Sequence, residues 1–126
     1  MEKEGRVSLW LGSFNNQDDF TEFMDIKYNL DGDSTPSEFE KVFNIEYYDE
    51  DFSEIYHTEN ETSSLKNLLD GCSYDYQLID SFNKNYKDSV YNAVVLLYDF
   101  EYGMNEVIYQ EQNNVLTFIG CVDYNK

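Results

Sequence analysis

The chain has 126 residues, of which 26 are Asp or Glu and 8 are Lys or Arg, so its formal net charge at pH 7 is −18. Binding to a phosphate backbone needs clustered basic side chains, and this composition therefore excludes nucleic acid as a direct partner. Acidic disordered chains lack aromatic residues, whereas this one has 12 Tyr, 9 Phe and a Trp. We predict a single folded domain spanning residues 1–126.

The first predicted element is a strand near the start of the chain. Its residues alternate between an aliphatic set, Val7, Leu9 and Leu11, and a mixed set, Ser8, Trp10 and Gly12. Alternation with a period of two places the two sets on opposite faces of a sheet. A large Trp side chain on the second face either packs beneath a helix or is an exposed recognition residue.

Two helices are predicted next. Asn16 is placed to cap the first, whose apolar stripe contains Phe20 and Phe23. This helix is predicted to end near Tyr28, before the turn at residues 30–33. For the second helix we predict Thr35 as the N-cap in a capping box with Glu38, with Pro36 at the first helical position.

The middle of the chain predicts a strand and two further helices. The strand covers residues 52–58. Leucines at 65, 68 and 69 then share one helical side, and Gly71 is suited to end that helix. The apolar residues of the next helix recur at three- and four-residue intervals from Leu78 to Tyr86, and Lys87 lies near its end.

The last third of the chain predicts strands. Residues 90–102 are predicted to form a strand. Its run from Ala93 to Leu97 is apolar on both faces, as is typical of a central strand. The first strand of the chain could pair beside it. A turn containing Asn105, a short edge strand at 107–109, a turn at 113–114 and a final strand follow. This order predicts an α+β fold, with a mainly antiparallel sheet and helices packed on one side.

Residues for catalysis are scarce. His57 is the only histidine, and Cys72 and Cys121 show no metal-ligand or nucleophile spacing. Acidic pairs occur by chance in such a chain, and neither Asp31–Asp33 nor Asp49–Asp51 continues into a calcium-binding loop. Phosphate-binding glycine loops are also missing. We therefore predict no catalytic residues, no metal site and no cofactor.

A stretch without basic residues, 42–65, concentrates the negative charge. It contains seven acids: Glu46, Asp49, Glu50, Asp51, Glu54, Glu59 and Glu61. Tyr47 and Tyr48 stand directly before three of them. Acids steer basic partners and aromatic residues dominate interface cores, so residues 47–51 and Glu54 are candidate partner-binding residues. In the alternative interpretation, a Tyr and Phe52 pack inward and the acids form a solvated turn. Asp99, Glu101 and Glu106 could extend the same negative field.

The location is predicted to be cytoplasmic. The two cysteines are far apart and fit reduced thiols, and the start of the sequence has no apolar signal-peptide segment. The longest apolar run, residues 93–97, is too short to cross a bilayer, so no membrane contact is predicted. The sequence leaves the oligomeric state open.

Four segments carry a resemblance to a known family. They are residues 9–14 (LWLGSF), 36–39 (PSEF), 47–52 (YYDEDF) and 91–98 (YNAVVLLY). In this order they resemble the Immunity protein 22 family of bacterial polymorphic toxin systems. The resemblance implies an α+β protein that binds and neutralises a cognate toxin domain without catalysis. It also implies binding positions within the matching segments: Trp10, Tyr47, Tyr48, Asp49, Glu50 and Asp51.

The charge favours a basic toxin domain, such as a nuclease, as the partner. A second hypothesis is a DNA-mimicking inhibitor of a DNA-binding or phage-defence protein, in which carboxylates replace phosphates. Mimicry would require two rows of acids at duplex-like spacing, whereas toxin binding requires one focused patch.

Overall fold

The computed structural model describes residues 1–84, 86, 89–103 and 107–126. Its elements, in chain order, are β1 (Glu2–Ser13), α1 (Gln17–Met24), β2 (Lys27–Tyr28), β3 (Ser34–Thr35), α2 (Glu38–Val42), a 3-10 turn (Glu50–Phe52), β4 (Ser53–Thr62), α3 (Leu65–Leu69), α4 (Asp75–Phe82), β5 (Tyr91–Phe100), β6 (Ile108–Glu111) and β7 (Asn114–Asp123). The predicted α+β class is confirmed.

Five strands form one antiparallel sheet in the order β4-β5-β1-β7-β6, and β2 and β3 form a separate hairpin. β1 pairs with β5, as the sequence suggested, with Trp10 opposite Val95. β6 is an edge strand, also as predicted. Its tight connection to β7 consists of Gln112 and Asn113, both with positive φ, which suits the two-residue hairpin turn that matches strand twist. The predicted turn at 113–114 is therefore displaced by one residue.

Helices cover both faces of the sheet, so the expected one-sided packing is wrong. The cluster on one face contains Trp10 and Val95 together with apolar residues of α1 and α2. The cluster on the other face contains Leu9 and Val94 with residues of α3 and α4. The physical reason lies in β5: all ten of its residues are buried, and a strand that is apolar on both pleat faces must be covered on both.

The cap of the second helix also differs from the prediction. Ser37, not Thr35, is the N-cap, and Glu40 completes the capping box. The Ser37 hydroxyl accepts from the Glu40 amide at 3.1 Å, and the Glu40 carboxylate accepts from the Ser37 amide at 3.0 Å. Thr35 instead pairs with Lys27 in the β2–β3 hairpin. The sequence contains two overlapping capping-box patterns, Thr35 with Glu38 and Ser37 with Glu40. Because Thr35 is part of the hairpin, only the second pattern caps the helix.

The remaining helix boundaries follow the predictions in part. α1 ends at Met24, before the predicted end near Tyr28, because Lys27 and Tyr28 form β2. Asn16 caps α1, accepting from the Asp19 amide at 2.8 Å. Gly71 lies just after α3 with φ +86°. α4 ends at Phe82, before the predicted end near Tyr86. Lys87, Asn105 and Glu106 lie outside the described residues.

We expect Gly12→Ala to destabilise the fold, because β1 and β7 approach closely at this residue. A Cβ atom there would lie 2.2 Å from the backbone oxygen of Val115 and 2.9 Å from Leu116 Cδ1. Overpacking of this kind typically costs about 1–3 kcal/mol of unfolding free energy. Urea denaturation measures the loss. Gly103→Ala is the control, because a Cβ there meets nothing within 4 Å; equal stability of the two variants would contradict the prediction.

Candidate partner-binding surface

A pocket opens where β5 extends beyond the start of β4. Ser53, the first residue of β4, pairs with Leu97, and the segment before it runs beside the following part of β5. Together they enclose a pocket of about 820 Å³, here called the acidic pocket. It is lined by residues 1–2, 44–49, 52 and 97–103.

Five carboxylates line the acidic pocket. They belong to Glu2, Glu46, Asp49, Asp99 and Glu101. Glu101 is paired with Arg6 at 3.1 Å, and Asp99 with Lys126 at 2.6 Å. In the described part of the chain no ion pair involves the other three. Among the described residues, three of the five pocket carboxylates therefore have no ion-pair partner.

The two candidate tyrosines point in different directions. Tyr47 lines the pocket and is 74% exposed, whereas Tyr48 is 5% exposed. The Tyr48 ring packs edge-on against Phe39 at 6.0 Å between centroids, and burial raises its pKa above the usual range. Phe52 remains 50% exposed at the pocket wall. Tyr47 and Phe52 are thus available for contact, and Tyr48 belongs to the core.

The three acids after the tyrosines form the exposed 3-10 turn and its cap. The Asp49 carboxylate accepts from the Asp51 amide at 2.9 Å, which fixes the turn. Glu50 accepts from the Tyr28 hydroxyl at 3.0 Å and so ties the turn to the β2–β3 hairpin. Asp49 lines the pocket, while Glu50 and Asp51 are not part of its lining.

Glu54 is engaged inside the protein. Its carboxylate accepts from the Tyr98 hydroxyl at 2.6 Å, from the Ser73 amide at 2.9 Å and from the Ser73 hydroxyl at 3.1 Å. Burial and this contact raise the pKa of Tyr98. Glu54 thus joins β4 to β5 and to the α3–α4 connection, and it is not part of the lining of the acidic pocket.

Trp10 is fully buried, which decides between the two roles that the sequence left open for it. Its ring packs at 5.1 Å from Phe39, Tyr102 and Phe118 and at 5.9 Å from Phe43. A partner cannot reach this side chain in the folded protein. Its place among the expected binding positions is therefore corrected to a core position.

Asp99 is the most tightly constrained carboxylate of the pocket. It has φ +55° and lies where β1 bulges away from β5. Oδ1 accepts from the Gly5 amide at 3.0 Å and from the Tyr124 hydroxyl at 2.7 Å. Burial alone raises the pKa of Asp99, but hydrogen bonds from Lys126, Gly5 and Tyr124 outweigh it and hold the pKa below its usual range.

The lowered pKa of Asp99 predicts a pH-dependent contribution to stability. A carboxyl whose pKa is lower in the folded state stabilises the fold above its unfolded pKa of about 3.9, and that contribution is lost as pH falls through the folded value. We expect Asp99→Asn to lower the free energy of unfolding at pH 7, and we expect this deficit to shrink progressively as pH falls below about 4. Asp51→Asn, at an exposed turn, is the control. A deficit that persists at low pH would show a steric rather than an ionic effect.

Among the described residues, no contact that would activate His57, Cys72 or Cys121 for catalysis is present. His57 lies on β4 with its ring 6.2 Å from Phe20, and its buried Nε2 has no hydrogen-bond partner among the described residues. Cys72 and Cys121 are both free thiols. Burial raises the pKa of the Cys72 thiol to about 11, which opposes the thiolate form needed for nucleophilic attack.

The described residues contain neither a metal-binding cluster nor a membrane-spanning helix. No group of three His, Cys, Asp or Glu side chains within residues 1–84, 86, 89–103 and 107–126 is arranged to hold a metal ion. Within the same residues, no helix combines the length and the apolar character needed to cross a membrane.

Some of the residues that line the acidic pocket are predictable from the sequence, and others are not. Tyr47, Asp49 and Phe52 come from one segment whose composition is distinctive. Asp99 and Glu101, named only as possible extensions of the negative field, line the same pocket. Glu2 was missed, and Lys126, which bonds to Asp99, gave no signal. Glu2 reaches the pocket through the pairing of β1 with β5, and Lys126, in the segment after β7, contacts Asp99 and Phe52 of its lining.

Comparison with known proteins gives one match. The model of a family described as Immunity protein 22 matches residues 7–125, nearly the whole chain. Neither the curated proteins nor the solved structures contain a significant match.

Proposed function

The chain belongs to the Immunity protein 22 family, and from this premise we propose that it protects a bacterial cell by binding and neutralising a cognate toxin domain through the acidic pocket. It acts as a stoichiometric inhibitor rather than an enzyme. The observation that carries the proposal is the juxtaposition, in one pocket, of an exposed aromatic residue, Tyr47, with three carboxylates that form no ion pair within the described part of the chain.

The chemistry of the pocket supports a basic partner. Aromatic side chains supply contact area at low entropic cost in the centre of interfaces, and carboxylates attract cationic surfaces. A nuclease domain has to bind a phosphate backbone and therefore carries Lys and Arg at its active site. Blocking that surface prevents catalysis without any reaction by the inhibitor. We accordingly propose a basic, nuclease-like toxin as the partner and the cytoplasm as the place of action.

Coexpression in cells tests the proposed function. The toxin candidate is the variable C-terminal domain of a polymorphic toxin encoded beside the gene for this protein. We expect cells that express this domain to survive when the wild-type protein is coexpressed, and the purified pair to form a 1:1 complex. Another acidic protein of similar size and charge serves as the control. Rescue by that control would show that charge alone protects, and absence of rescue by the wild type would reject this toxin as the partner.

The association rate should depend strongly on salt. Steering by a charged surface is screened beyond about 8 Å at physiological ionic strength, so we expect the rate constant to fall about tenfold or more between low and high salt. Glu46→Gln combined with Asp49→Asn should lower the rate at low salt and weaken its salt dependence. Stopped-flow fluorescence measures both effects.

A matched control removes two acids from the α3–α4 side of the molecule, where Asp70 and Asp80 are exposed. The variant carrying Asp70→Asn and Asp80→Asn has the same net charge as the pocket variant. If the two variants slow association equally, the overall charge steers the partner and the acidic pocket has no special role.

A further inference from the structure

A cation-binding site lies at the wall of the acidic pocket, and the protein fills it with its own side chain. Lys126 Nζ lies 2.6 Å from Asp99 Oδ2 and 5.8 Å from the centroid of the Phe52 ring. A carboxylate on one side and an aromatic face on the other are the two groups that hold a Lys or Arg side chain most effectively. Asp99 and Phe52 both line the acidic pocket.

Separating the Asp99–Lys126 pair would cost the carboxylate of Asp99 more than the ammonium of Lys126. The side chain of Asp99 is 10% exposed, whereas that of Lys126 is 48% exposed. A buried carboxylate left without a counter-ion is costly, but an exposed ammonium is readily solvated by water. The site therefore favours occupation by some cation, and the present occupant loses little when it moves into solvent.

Displacement of the ammonium does not require unfolding. The backbone before Lys126 is held independently, because Asn125 donates to Gln77 at 2.8 Å and accepts from it at 2.7 Å. The Tyr124 amide donates to the Gly5 carbonyl at 2.9 Å. The Lys126 side chain can therefore turn outward while the chain around it stays in place. Asp99 keeps its hydrogen bonds from Gly5 and Tyr124 throughout.

We propose that an arginine or lysine side chain of the partner occupies the Phe52–Asp99 site in place of Lys126. The identity of the partner rests on the proposed function; the site itself does not. Arginine suits the site better than lysine, because its planar guanidinium stacks on a ring while its edge donates to a carboxylate. Lys126 then acts as an internal competitor that shields Asp99 in the free protein and is displaced on binding.

A small cation tests the site without any toxin. The probe is Nα-acetyl-arginine amide, and its neutral isostere, Nα-acetyl-citrulline amide, is the ligand control at matched ionic strength. The reporters are the Gly5 amide, which bonds to Asp99, and the Phe52 ring, both followed by NMR. We expect Lys126→Met to bind the arginine probe about five- to tenfold more tightly than wild type, because loss of an internal competitor raises the fraction of competent sites.

Two further variants make the outcome decisive. Lys66→Met removes an exposed lysine from α3 and should leave the affinity at the wild-type value. Lys126→Met combined with Asp99→Asn should lose the arginine response, while its Gly5 and Phe52 signals show that it is folded. No arginine response in Lys126→Met, or an equal response in all variants or to the citrulline probe, would overturn the proposal. A toxin that fails to bind the wild-type protein would overturn the proposed function and leave this test unaffected.

Discussion

Trp10→Ala should cost about 3–5 kcal/mol of unfolding free energy, the range found when a large buried aromatic side chain is truncated to alanine. That is a large part of the 5–15 kcal/mol typical of a whole domain. Trp10 has no exposed surface and lies at the centre of an aromatic cluster that joins β1 to α2 and β7. We expect the urea midpoint of the variant to fall steeply and its near-UV circular dichroism signal to weaken.

Trp10→Phe separates packing from polar effects at the same position. The indole Nε1 is buried and has no hydrogen-bond partner among the described residues, so the tryptophan already carries a desolvation cost. Phenylalanine removes this unpaired group and leaves a smaller cavity than alanine, and we expect a correspondingly smaller loss of stability. A Trp10→Ala variant as stable as wild type would show that the aromatic cluster rearranges freely around the vacancy.

Local patterns in the sequence predicted the strands well because strand faces follow a period of two. The alternation around Trp10 placed its two residue sets correctly, and the apolar run in β5 predicted a buried strand. The same run also implies that both faces of the sheet are covered, because a strand that is apolar on both faces is buried on both. The packing of helices on both faces was therefore predictable from the sequence.

The helix start at residues 35–38 shows a different kind of error. Thr35-x-x-Glu38 and Ser37-x-x-Glu40 are equally good capping boxes, and only the β2–β3 hairpin decides between them. The hairpin consists of two strands of two residues each, which are too short to produce a periodic sequence pattern, so the sequence does not predict it. Local rules can reveal both candidates and cannot rank them.

The acidic pocket was partly predictable for a similar reason. Tyr47, Asp49 and Phe52 are neighbours in the sequence, so composition alone marked them. Asp99 and Lys126 are 27 residues apart, and Asp99 meets the Gly5 amide across 94 residues. Such contacts depend on strand order and on the bulge in β1, and these follow from the packing of the whole sheet. Glu54 was also predicted from its sequence neighbours. Its position in β4, however, places its side chain against Tyr98 and Ser73.

Tyr47→Ala should weaken binding to the toxin domain by roughly 2 kcal/mol, which is about 30-fold in Kd, as expected for an aromatic hot spot at the centre of an interface. Tyr47 is 74% exposed in the free protein, so its truncation should change the unfolding free energy by less than about 0.5 kcal/mol. Loss of affinity without loss of stability is the expected signature, and the dissociation rate should carry most of it. Surface plasmon resonance and thermal unfolding provide the two measurements.

Tyr76→Ala is the matched control for this prediction. Tyr76 is 90% exposed and lies on α4, which covers the face of the sheet opposite α1 and α2. The two substitutions remove the same side chain from similarly exposed positions, so a general effect of losing a surface tyrosine cancels between them. Weak binding by Tyr47→Ala alone would support the acidic pocket as the toxin-binding surface. Weak binding by Tyr76→Ala alone would instead place the toxin-binding surface on the α3–α4 face, where Glu54 and Ser73 lie, and would contradict a role for the acidic pocket.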